Sequence, residues 1–510
     1  MAKAVGLEGL VLRCALLSRL LLLTLILLWR LLFRPYDTSA SLNPSCLSSS
    51  STAAAAAAAA ARSVPSDPIL WPRIGASIEA SVVWDGVYFV RIAECGYEYE
   101  QTYAFFPLLP LCISLLSRFV FAPLVPMIGY RPVLALSGYV LNNVAFLFAA
   151  VYFYRLSVLI LKDPAAAFRA SILFCFNPAS VFYSSIYTES LYALFSVGGL
   201  YYLFSGANTV AMLLLALSGS ARSNGALNAG YFCFQAMQHA YDAIIQKKRP
   251  ILAVHAIIGG LARSLCIFVP FLAFQAYGYS NICLGGISYE PRPWCKARIP
   301  NLYSFLQSHY WGVGFLRYFQ VKQLPNFLLA SPILSLSICS IIHYANMLLQ
   351  VVQSLNTHDH NSFAALLSLL GTNEISDAVG ASENSSPSKS SRDHMVRRRK
   401  QERKDKSTES FQHLRSTDHA LLQSMQGYPS VLVLPFILHL AFMTFTALFM
   451  MHVQVSTRFL SASPPIYWFA SCVLVSPSCT SRRWGYLIWV YFITFILLGS
   501  LLFSNFYPFT

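Results

Sequence analysis

Long apolar stretches that recur along the whole chain most constrain how this sequence can fold. A helix of about 20 apolar residues is needed to cross the hydrocarbon core of a bilayer. Eleven such stretches can be counted, near 12–33, 104–125, 132–157, 169–187, 189–206, 209–238, 251–279, 326–352, 429–450, 464–480 and 485–506. The fourth and fifth are short and are interrupted by Asn177, Pro178 and Glu189. These two stretches therefore form either two spans or a hairpin that enters the membrane from one side.

The composition argues against the other main classes of protein. Only 11% of the residues are charged, whereas 56% are hydrophobic and 14% aromatic; soluble domains carry about 25% charged residues. This balance excludes a water-soluble enzyme, a disordered protein, a coiled coil and a hydrophilic nucleic-acid-binding domain. The sequence predicts an all-α polytopic membrane protein with about 9 to 11 transmembrane helices.

The first apolar stretch has two interpretations. Arg13 and Arg19 precede an apolar run, and serine- and alanine-rich sequence follows it, as in a secretory signal peptide. Trp29 and Arg30, however, do not fit a cleavage site of small residues. We therefore favour an uncleaved anchor over residues 1–33.

Clusters of Lys and Arg set the expected orientation, because short basic loops stay in the cytoplasm. When the eleven segments are threaded alternately, one side of the membrane receives three basic regions, at 246–250, 356–428 and 481–483. The opposite, lumenal or external side receives 34–103, 280–325, 451–463 and the C-terminus. The basic stretch at 392–406 is interpreted as a solvated cytoplasmic loop that fixes topology, and a nuclear-type or lipid-binding signal is the alternative.

The segments that follow from this threading are a first anchor, a low-complexity lumenal segment, a lumenal loop, a transmembrane core, a basic and largely disordered cytoplasmic loop, and C-terminal transmembrane helices. Their boundaries are 1–33, 34–68, 69–103, 104–355, 356–428 and 429–510, with a second lumenal loop at 280–325. The alanine-rich run within 34–68 and the basic loop carry no predicted chemistry.

Four of the twelve cysteines are predicted to face an oxidising lumen: Cys46, Cys95, Cys283 and Cys295. A disulfide between Cys283 and Cys295 is one expected pairing. The spacing of the cysteines matches no metal site, so we expect no metal ion. Asn384 lies in an Asn-x-Ser sequence on the predicted cytoplasmic side and should be unglycosylated.

The first lumenal loop predicts an amphipathic helix at the membrane surface. In WDGVYFVRIAECGYEYE, apolar residues recur at helical spacing while Arg91, Glu94 and Glu98 lie on another face. Asp85 would lie in the first turn, where the helix dipole favours an ionised carboxylate. An ionised carboxylate is the state that a general base needs. An ordinary aspartate at a helix start is an equally good interpretation.

Polar residues also interrupt the apolar stretch at 209–238, where Arg222, Asn224 and Asn228 occur together. Charged groups at membrane depth are costly and usually face a cavity or a partner. Arg222 could bind a phosphate, since a guanidinium suits bidentate contact with phosphoryl oxygens. A structural ion pair with Glu189 is the alternative.

Two further predicted lumenal regions, 300–327 and 451–469, combine aromatic and cationic residues. Aromatic belts at membrane interfaces explain much of this pattern. They do not require the ionisable groups His309, Arg317, His452 and Arg458. Arginines on the same side as Asp85 would suit an anionic, lipid-linked substrate.

Seven motifs occur in order along the chain: WDG, FVRIAECGYEYE, AFFPLLP, FNPASVFYSSIYTESLYAL, RSNGALNAGY, YWGVGFLRYF and HVQVSTRFLSASPPIYWF. Together they resemble the PIG-V family of GPI mannosyltransferases. The resemblance covers roughly residues 69 to 506. The alanine-rich stretch and the 356–428 loop lie outside the pattern.

The resemblance implies a GT-C type glycosyltransferase of the endoplasmic reticulum membrane, with its active site in the lumen. Such an enzyme takes mannose from dolichol phosphate mannose and adds the second mannose, in α1,6 linkage, to the GPI precursor. The family's Trp-Asp pair corresponds to Trp84 and Asp85. A lipid phosphate donor implies no nucleotide sugar and no cofactor. The resemblance also implies a small membrane accessory subunit in some organisms.

A β-linked donor and an α-linked product imply inversion, which requires a base on the acceptor side. Asp85 is the candidate base. Trp84 would pack against a sugar or fix the helix at the membrane, and Arg222, Arg317 or Arg458 would contact the leaving phosphate. Further substrate-binding candidates are Glu94, Glu98, Glu100, Glu189, Asn224, Tyr310, Trp311 and His452.

Two other functions are compatible with a chain of this architecture. A transporter of lipid-linked substrates would also have many spans and an intramembrane arginine, but it usually shows related halves, and the sequence shows none. A non-catalytic membrane subunit of a glycosyltransferase complex would lack a base. The substitution Asp85→Asn separates that subunit from an enzyme.

Overall fold

The computed structural model describes residues 2–36, 46, 69–284, 292–356, 431–476 and 479–507. Within these residues all regular secondary structure is helical. The helices of the first half are α1 (Ala2–Leu32), α2 (Pro72–Ala80), α3 (Asp85–Cys95), α4 (Leu108–Phe119), α5 (Val125–Ile128), α6 (Tyr130–Leu161), α7 (Pro164–Cys175), α8 (Ser180–Ser184) and α9 (Glu189–Phe204). Those that follow are α10 (Asn208–Ala221), α11 (Ala229–Ile245), α12 (Pro250–Tyr279), α13 (Leu302–Tyr310), α14 (Leu324–Asn356), α15 (Leu434–Phe449), α16 (Ser456–Leu460), α17 (Pro464–Val475) and α18 (Cys479–Ser504).

Five helices in the described part of the chain are long and apolar enough to cross a membrane, and their spans are Gly6–Leu32, Tyr130–Leu161, Pro250–Leu284, Val321–Gln350 and Thr480–Ser504. A sixth candidate is bent by 70° between Leu108–Phe119 and Ala122–Ile128, where Pro123 and Pro126 prevent a continuous helix. The all-helical membrane architecture is thus confirmed. The count of 9 to 11 spans stays a prediction, because it depends on the shorter apolar helices.

The polar sequences that interrupt the apolar stretches break helices. Asn177 ends α7, where its amide donates to the Phe174 carbonyl at 2.8 Å and its side-chain oxygen accepts from the backbone of Ala179 at 2.9 Å. The sequence suggested one stretch over 209–238, but the helix ends at Ala221 and resumes at Ala229. The intervening turn packs so closely on α10 that a Cβ at Gly225 would lie 2.3 Å from the Ser218 carbonyl.

Aromatic side chains fill the centre of the bundle around α6, α7 and α17. The ring of Phe174 stacks on Phe153 at 4.6 Å and on Phe146 at 5.4 Å between centroids. The indole of Trp468 is fully buried and donates to the Ser157 hydroxyl at 2.8 Å. Close van der Waals contact of this kind and buried hydrogen bonds hold helices together where lipid surrounds them.

Arg19 ties α1 into this bundle. The sequence suggested a charge at the flank of an apolar run, but the side chain is only 2% exposed. It donates to the carbonyls of Cys175 at 3.1 Å and Ser180 at 3.0 Å, and to the Ser184 hydroxyl at 3.0 Å. Its guanidinium also lies 3.8 Å from the ring centroid of Phe146. The first helix is therefore packed as part of the fold.

Two disulfides join segments of the predicted lumenal side. The expected Cys283–Cys295 bridge is confirmed, with a Cα–Cα distance of 5.8 Å. A second bridge joins Cys46 to Cys95, at the end of α3, with a Cα–Cα distance of 5.5 Å. Most of the 34–68 segment, the basic loop and Asn384 lie outside the described residues.

Candidate active site

Asp85 occupies the first turn of α3, as the sequence predicted. The helix begins there because Trp84 before it has a non-helical backbone, with φ of +53° and ψ of −132°. Glycine favours such a positive φ, and a bulky residue adopts it only when the surroundings hold it. The backbone N–H of Asp85 donates to the hydroxyl of Tyr187 at 3.1 Å. The start of the helix is thereby fixed to the segment between α8 and α9.

Four ionised side chains from distant parts of the sequence meet beside this helix. The Arg458 guanidinium lies 3.4 Å from Oδ2 of Asp85 and donates to Oε1 of Glu189 at 2.9 Å. Arg222 donates to the same Oε1 at 3.0 Å. The pairing of Arg222 with Glu189, expected as the alternative to phosphate binding, is therefore present. Two arginines and two carboxylates balance each other, and we call this group the charge cluster.

Two aromatic rings pack against Arg458 of the charge cluster. The Arg458 guanidinium carbon lies 4.6 Å from the ring centroid of Phe182 and 4.7 Å from that of Tyr187. Both distances allow cation–π attraction, which strengthens where water is excluded. The sequence motif around 176–194 was noticed, but only Glu189 was selected from it. Phe182 and Tyr187 could have been selected as well, because both aromatic residues lie in the same motif as Glu189, an acid within an apolar stretch.

Exposure separates the two carboxylates of the charge cluster. The Glu189 side chain is 1% exposed, whereas that of Asp85 is 37% exposed. Partial burial nevertheless desolvates the Asp85 carboxyl and raises its pKa, and the positive charge of Arg458 partly opposes that rise. Asp85 is consequently the more accessible of the two carboxylates, while Oε1 of Glu189 holds the two arginines.

Trp84 is fixed to the end of α18. Its indole N–H donates to the carbonyl of Phe503 at 3.0 Å, and its ring lies 5.7 Å from that of Phe506. The two roles expected for this residue, packing against a sugar or fixing the helix at the membrane, stay predictions, and the contacts seen here are with the protein itself. They position Asp85 relative to the C-terminal helix.

The three other candidate acids of the first lumenal loop, Glu94, Glu98 and Glu100, contact their own partners. Glu98 pairs with Arg91 at 2.7 Å, and Glu94 pairs with Arg131 at 3.2 Å. Glu100 accepts hydrogen bonds from the indole of Trp294 at 2.8 Å and from the hydroxyl of Tyr310 at 2.9 Å. These contacts hold the loop to α6 and to the second lumenal loop, and the structure does not bring the three acids into the charge cluster.

The remaining candidates on the lumenal loops are also distributed. His452 stacks on Tyr318 at 4.7 Å and its ring nitrogen contacts the carbonyl of Trp311. Arg317 is exposed, and it forms no ion pair within the described part of the chain. Of the three arginines considered for phosphate binding, Arg222 and Arg458 therefore belong to the charge cluster and Arg317 does not.

Two polar groups near the charge cluster have unused hydrogen-bonding capacity. Oε2 of Glu189 is buried, and it has no hydrogen-bond partner among the described residues. The same holds for both amide atoms of Asn224, which lies two residues after Arg222. Buried polar groups usually have a partner in the protein or a ligand. Glu189 is thus able to accept a hydrogen bond from a bound molecule, and the Asn224 amide is able both to donate and to accept.

Comparison with known proteins gives a consistent result. A sequence model of the family described as "Mannosyltransferase (PIG-V)" matches residues 7–510. GPI alpha-1,6-mannosyltransferase 2 of Cricetulus griseus is 29% identical over 414 residues, which are 77% of this chain and 72% of the relative. GPI mannosyltransferase 2 of Drosophila melanogaster is 28% identical over 465 residues, which are 84% of this chain and 86% of the relative. No solved structure is significantly similar to this chain.

Proposed function

The chain belongs to the PIG-V family of mannosyltransferases, and from this premise we propose that it adds the second mannose to the GPI-anchor precursor. The donor is dolichol phosphate mannose, the new linkage is α1,6, and the reaction takes place at the lumenal face of the endoplasmic reticulum membrane. The observation that carries the proposal is the accessible carboxylate of Asp85 held beside the buried Arg458. The names of the relatives support the acceptor and the linkage.

The reaction is a single displacement that inverts the anomeric carbon. The 6-hydroxyl of the acceptor mannose attacks C1 of the donor mannose, and the bond between C1 and the phosphate oxygen breaks. Asp85 takes the hydroxyl proton, and dolichyl phosphate leaves with the bonding electrons. A carboxylate base on the acceptor side is the arrangement that inverting glycosidases also use. No metal ion or cofactor enters this scheme, because the phosphate is already a good leaving group.

Arg458 serves this chemistry in two ways. Its positive charge opposes the desolvation that raises the carboxyl pKa of Asp85. Its contacts with Asp85 and Glu189 use Nη1 and Nε, and a guanidinium has five N–H groups. The remaining donors are available to negative charge that develops in the transition state, where fixed positive charge lowers the barrier.

The acceptor and donor sugars have candidate partners in the same place. The unpaired Oε2 of Glu189 can accept a hydrogen bond from a sugar hydroxyl, and the Asn224 amide can donate and accept. Both groups are already buried and have no partner, so they lose no contact with water when a sugar hydroxyl forms a hydrogen bond with them. The GT-C type architecture belongs to this proposal as well, supported by the many apolar helices.

The test is complementation of cells that lack the second GPI mannosyltransferase. Wild type should restore surface GPI-anchored proteins and remove the one-mannose precursor. Asp85→Asn should restore neither, because loss of a general base costs about 100-fold or more in rate. Glu8→Gln is the matched control, since Glu8 forms a partly exposed ion pair with Arg155 at the other end of the bundle.

Two outcomes would contradict the proposal. If well-expressed wild type leaves the one-mannose precursor in place while a known family member removes it, the assigned reaction is wrong. If Asp85→Asn restores the surface proteins as fully as Glu8→Gln, then Asp85 is not the base. The second result would instead favour a non-catalytic membrane subunit.

A further inference from the structure

A groove with a volume of about 940 Å³ lies between α1, α2 and α6. Its walls are mainly apolar, with Leu23, Ile26 and Leu27 on α1 and Leu136, Val140 and Val144 on α6. At 1.5 Å per residue, the lining segment of α1 from Leu23 to Leu31 extends about 12 Å. The groove is thus an elongated furrow that runs along two of the five long apolar helices.

The groove is open to the surrounding lipid. Leu27, Val140 and Val144 line it and are also exposed at the surface of the bundle. Exposed apolar side chains on membrane-spanning helices face hydrocarbon. A lipid chain can therefore enter from the bilayer without first crossing water.

One end of the groove is positively charged. Arg30 in the last turn of α1 and Arg73 in the first turn of α2 both line it, and none of the lining residues that the structure describes is acidic. Arg30 donates to the carbonyl of Ser504 at 2.8 Å. Arg73 is exposed and pairs with no described carboxylate. In the charge cluster, by contrast, Asp85 and Glu189 already balance both arginines.

The charged end lies beside the candidate active site. Arg30 donates to the carbonyl of Ser504, and Trp84 donates to that of the preceding residue, Phe503, at 3.0 Å. The two side chains are therefore fixed to adjacent residues at the end of α18. Ser81, which also lines the groove, is four residues before Asp85. An anion at Arg30 and Arg73 would thus be close to the start of α3.

We propose that this groove binds the polyprenyl phosphate part of the donor, with the isoprenoid chain between α1 and α6 and the phosphate at Arg30 and Arg73. The inference rests on the proposed function, because it takes its ligand from that reaction. A furrow between two helices suits a single hydrocarbon chain, whereas a phosphatidylinositol acceptor carries two chains on glycerol. The charge also matches, since a phosphodiester is an anion.

Steady-state kinetics on the full-length protein in microsomes tests the groove. Dolichol phosphate mannose is varied at fixed acceptor, and then acceptor at fixed donor. Arg73→Gln should raise the KM for the donor about tenfold, as expected for loss of a charge-assisted contact, and leave the KM for the acceptor unchanged. Val140→Trp should have the same effect by filling the furrow.

Matched controls exist for both variants. Arg118→Gln removes an exposed arginine from the end of α4, outside the groove. Val210→Trp places the same large side chain on α10, where Val210 is 42% exposed, against 38% for Val140. Because all four positions are at the surface, the variants should fold, and both controls should keep the wild-type KM for the donor.

A binding measurement separates this inference from the proposed function. A dolichyl phosphate that carries a diazirine near the phosphate should label peptides of α1, α2 and α6, and unlabelled dolichyl phosphate should compete. Labelling elsewhere, or an unchanged donor KM in both groove variants of an active enzyme, would overturn the groove assignment and leave the function intact. A rise in the acceptor KM alone would overturn the donor as occupant. If wild type transfers no mannose, the proposed function fails, and the labelling pattern alone then decides on the groove.

Discussion

Arg458 lies 3.4 Å from the carboxylate of Asp85, although 373 positions separate the two residues in the chain. Between them in sequence lie most of the apolar helices and the long basic loop. The contact joins the first turn of α3 to α16. Glu189, at the start of α9, also pairs with Arg458. The site thus depends on the C-terminal helices as much as on the first lumenal loop.

This contact predicts how transfer depends on pH. Burial raises the pKa of Asp85 above its ordinary value, and only the ionised carboxylate acts as a base. The rate should therefore fall as the pH decreases through this raised pKa, at a higher pH than for an ordinary aspartate. Arg458→Gln removes the charge that opposes the shift, so its acid limb should move to still higher pH. Initial rates in permeabilised microsomes, at saturating substrates, measure the acid limb of the pH profile for wild type and for Arg458→Gln.

The control for this measurement is Glu8→Gln, which should keep the wild-type profile because Glu8 pairs with Arg155 at the other end of the bundle from Asp85. A rate that stays constant while the pH falls through the carboxylate range would contradict the assignment of Asp85. An acid limb of Arg458→Gln that moves to lower pH would contradict the role given to Arg458.

Glu189→Gln should strongly destabilise the protein. Glu189 is almost fully buried and accepts hydrogen bonds from Arg222 and Arg458. Removal of its charge leaves the largely buried Arg222 without its carboxylate and Arg458 with Asp85 alone, and breaking a buried pair costs about 3–5 kcal/mol. The double variant Glu189→Gln with Arg222→Gln should lose less than the sum of the two single variants. Thermal unfolding of the detergent-purified protein measures all three.

Glu8→Gln is again the matched control, since a partly exposed pair contributes about 0–1 kcal/mol. If Glu189→Gln unfolds at the same temperature as Glu8→Gln, the charge cluster does not stabilise the fold. Strict additivity in the double variant would show that Arg222 and Glu189 are not coupled.

Local pattern predicted part of the site. The amphipathic helix with Asp85 in its first turn followed from helical spacing, and the Arg222–Glu189 pair was expected as one alternative. The contact with Arg458 could not be predicted from the chemistry of the residues, because no local pattern encodes a meeting across 373 positions. Glu94 and Glu98 were also selected as substrate-binding candidates, whereas Glu98 pairs with Arg91 of the same loop and Glu94 pairs with Arg131 on α6.

Arg19 shows a second limit of prediction from the sequence. An apolar run predicts a membrane helix but not which face packs against its neighbours, so an arginine within it was interpreted as a flanking charge. An ionisable group inside a membrane segment was itself a signal of a buried partner. The partners, however, are carbonyl and hydroxyl groups of Cys175, Ser180 and Ser184. Such neutral partners leave no charge pattern in the sequence.

The burial of Arg19 predicts that Arg19→Met lowers both stability and transfer. The methionine leaves carbonyl and hydroxyl acceptors on α7 and α8 without a donor, and each unsatisfied buried group costs about 1–3 kcal/mol. Helix α8 also carries Phe182, on which Arg458 lies. Arg19→Lys should recover only part of the loss, because a single ammonium group cannot contact all the acceptors that surround the planar guanidinium. Thermal unfolding and mannose transfer measure the effect, and Arg13→Met, at an exposed position of α1, is the control. Equal stability of the two methionine variants would contradict the stabilising role given to Arg19.

The Cys283–Cys295 disulfide allows the predicted orientation to be tested directly. Cys283→Ser frees Cys295, and a loop in the lumen should then react with a membrane-impermeant maleimide only after the microsomes are permeabilised. In the basic loop, Ser388→Cys should react in intact microsomes, because a cytoplasmic segment is accessible from outside. Wild type should show no reaction at Cys295 unless the disulfide is reduced. Labelling of freed Cys295 in intact microsomes would place the 280–325 loop in the cytoplasm. Because the same threading assigns Asp85 to the side of this loop, that result would also move the candidate active site away from the lumen.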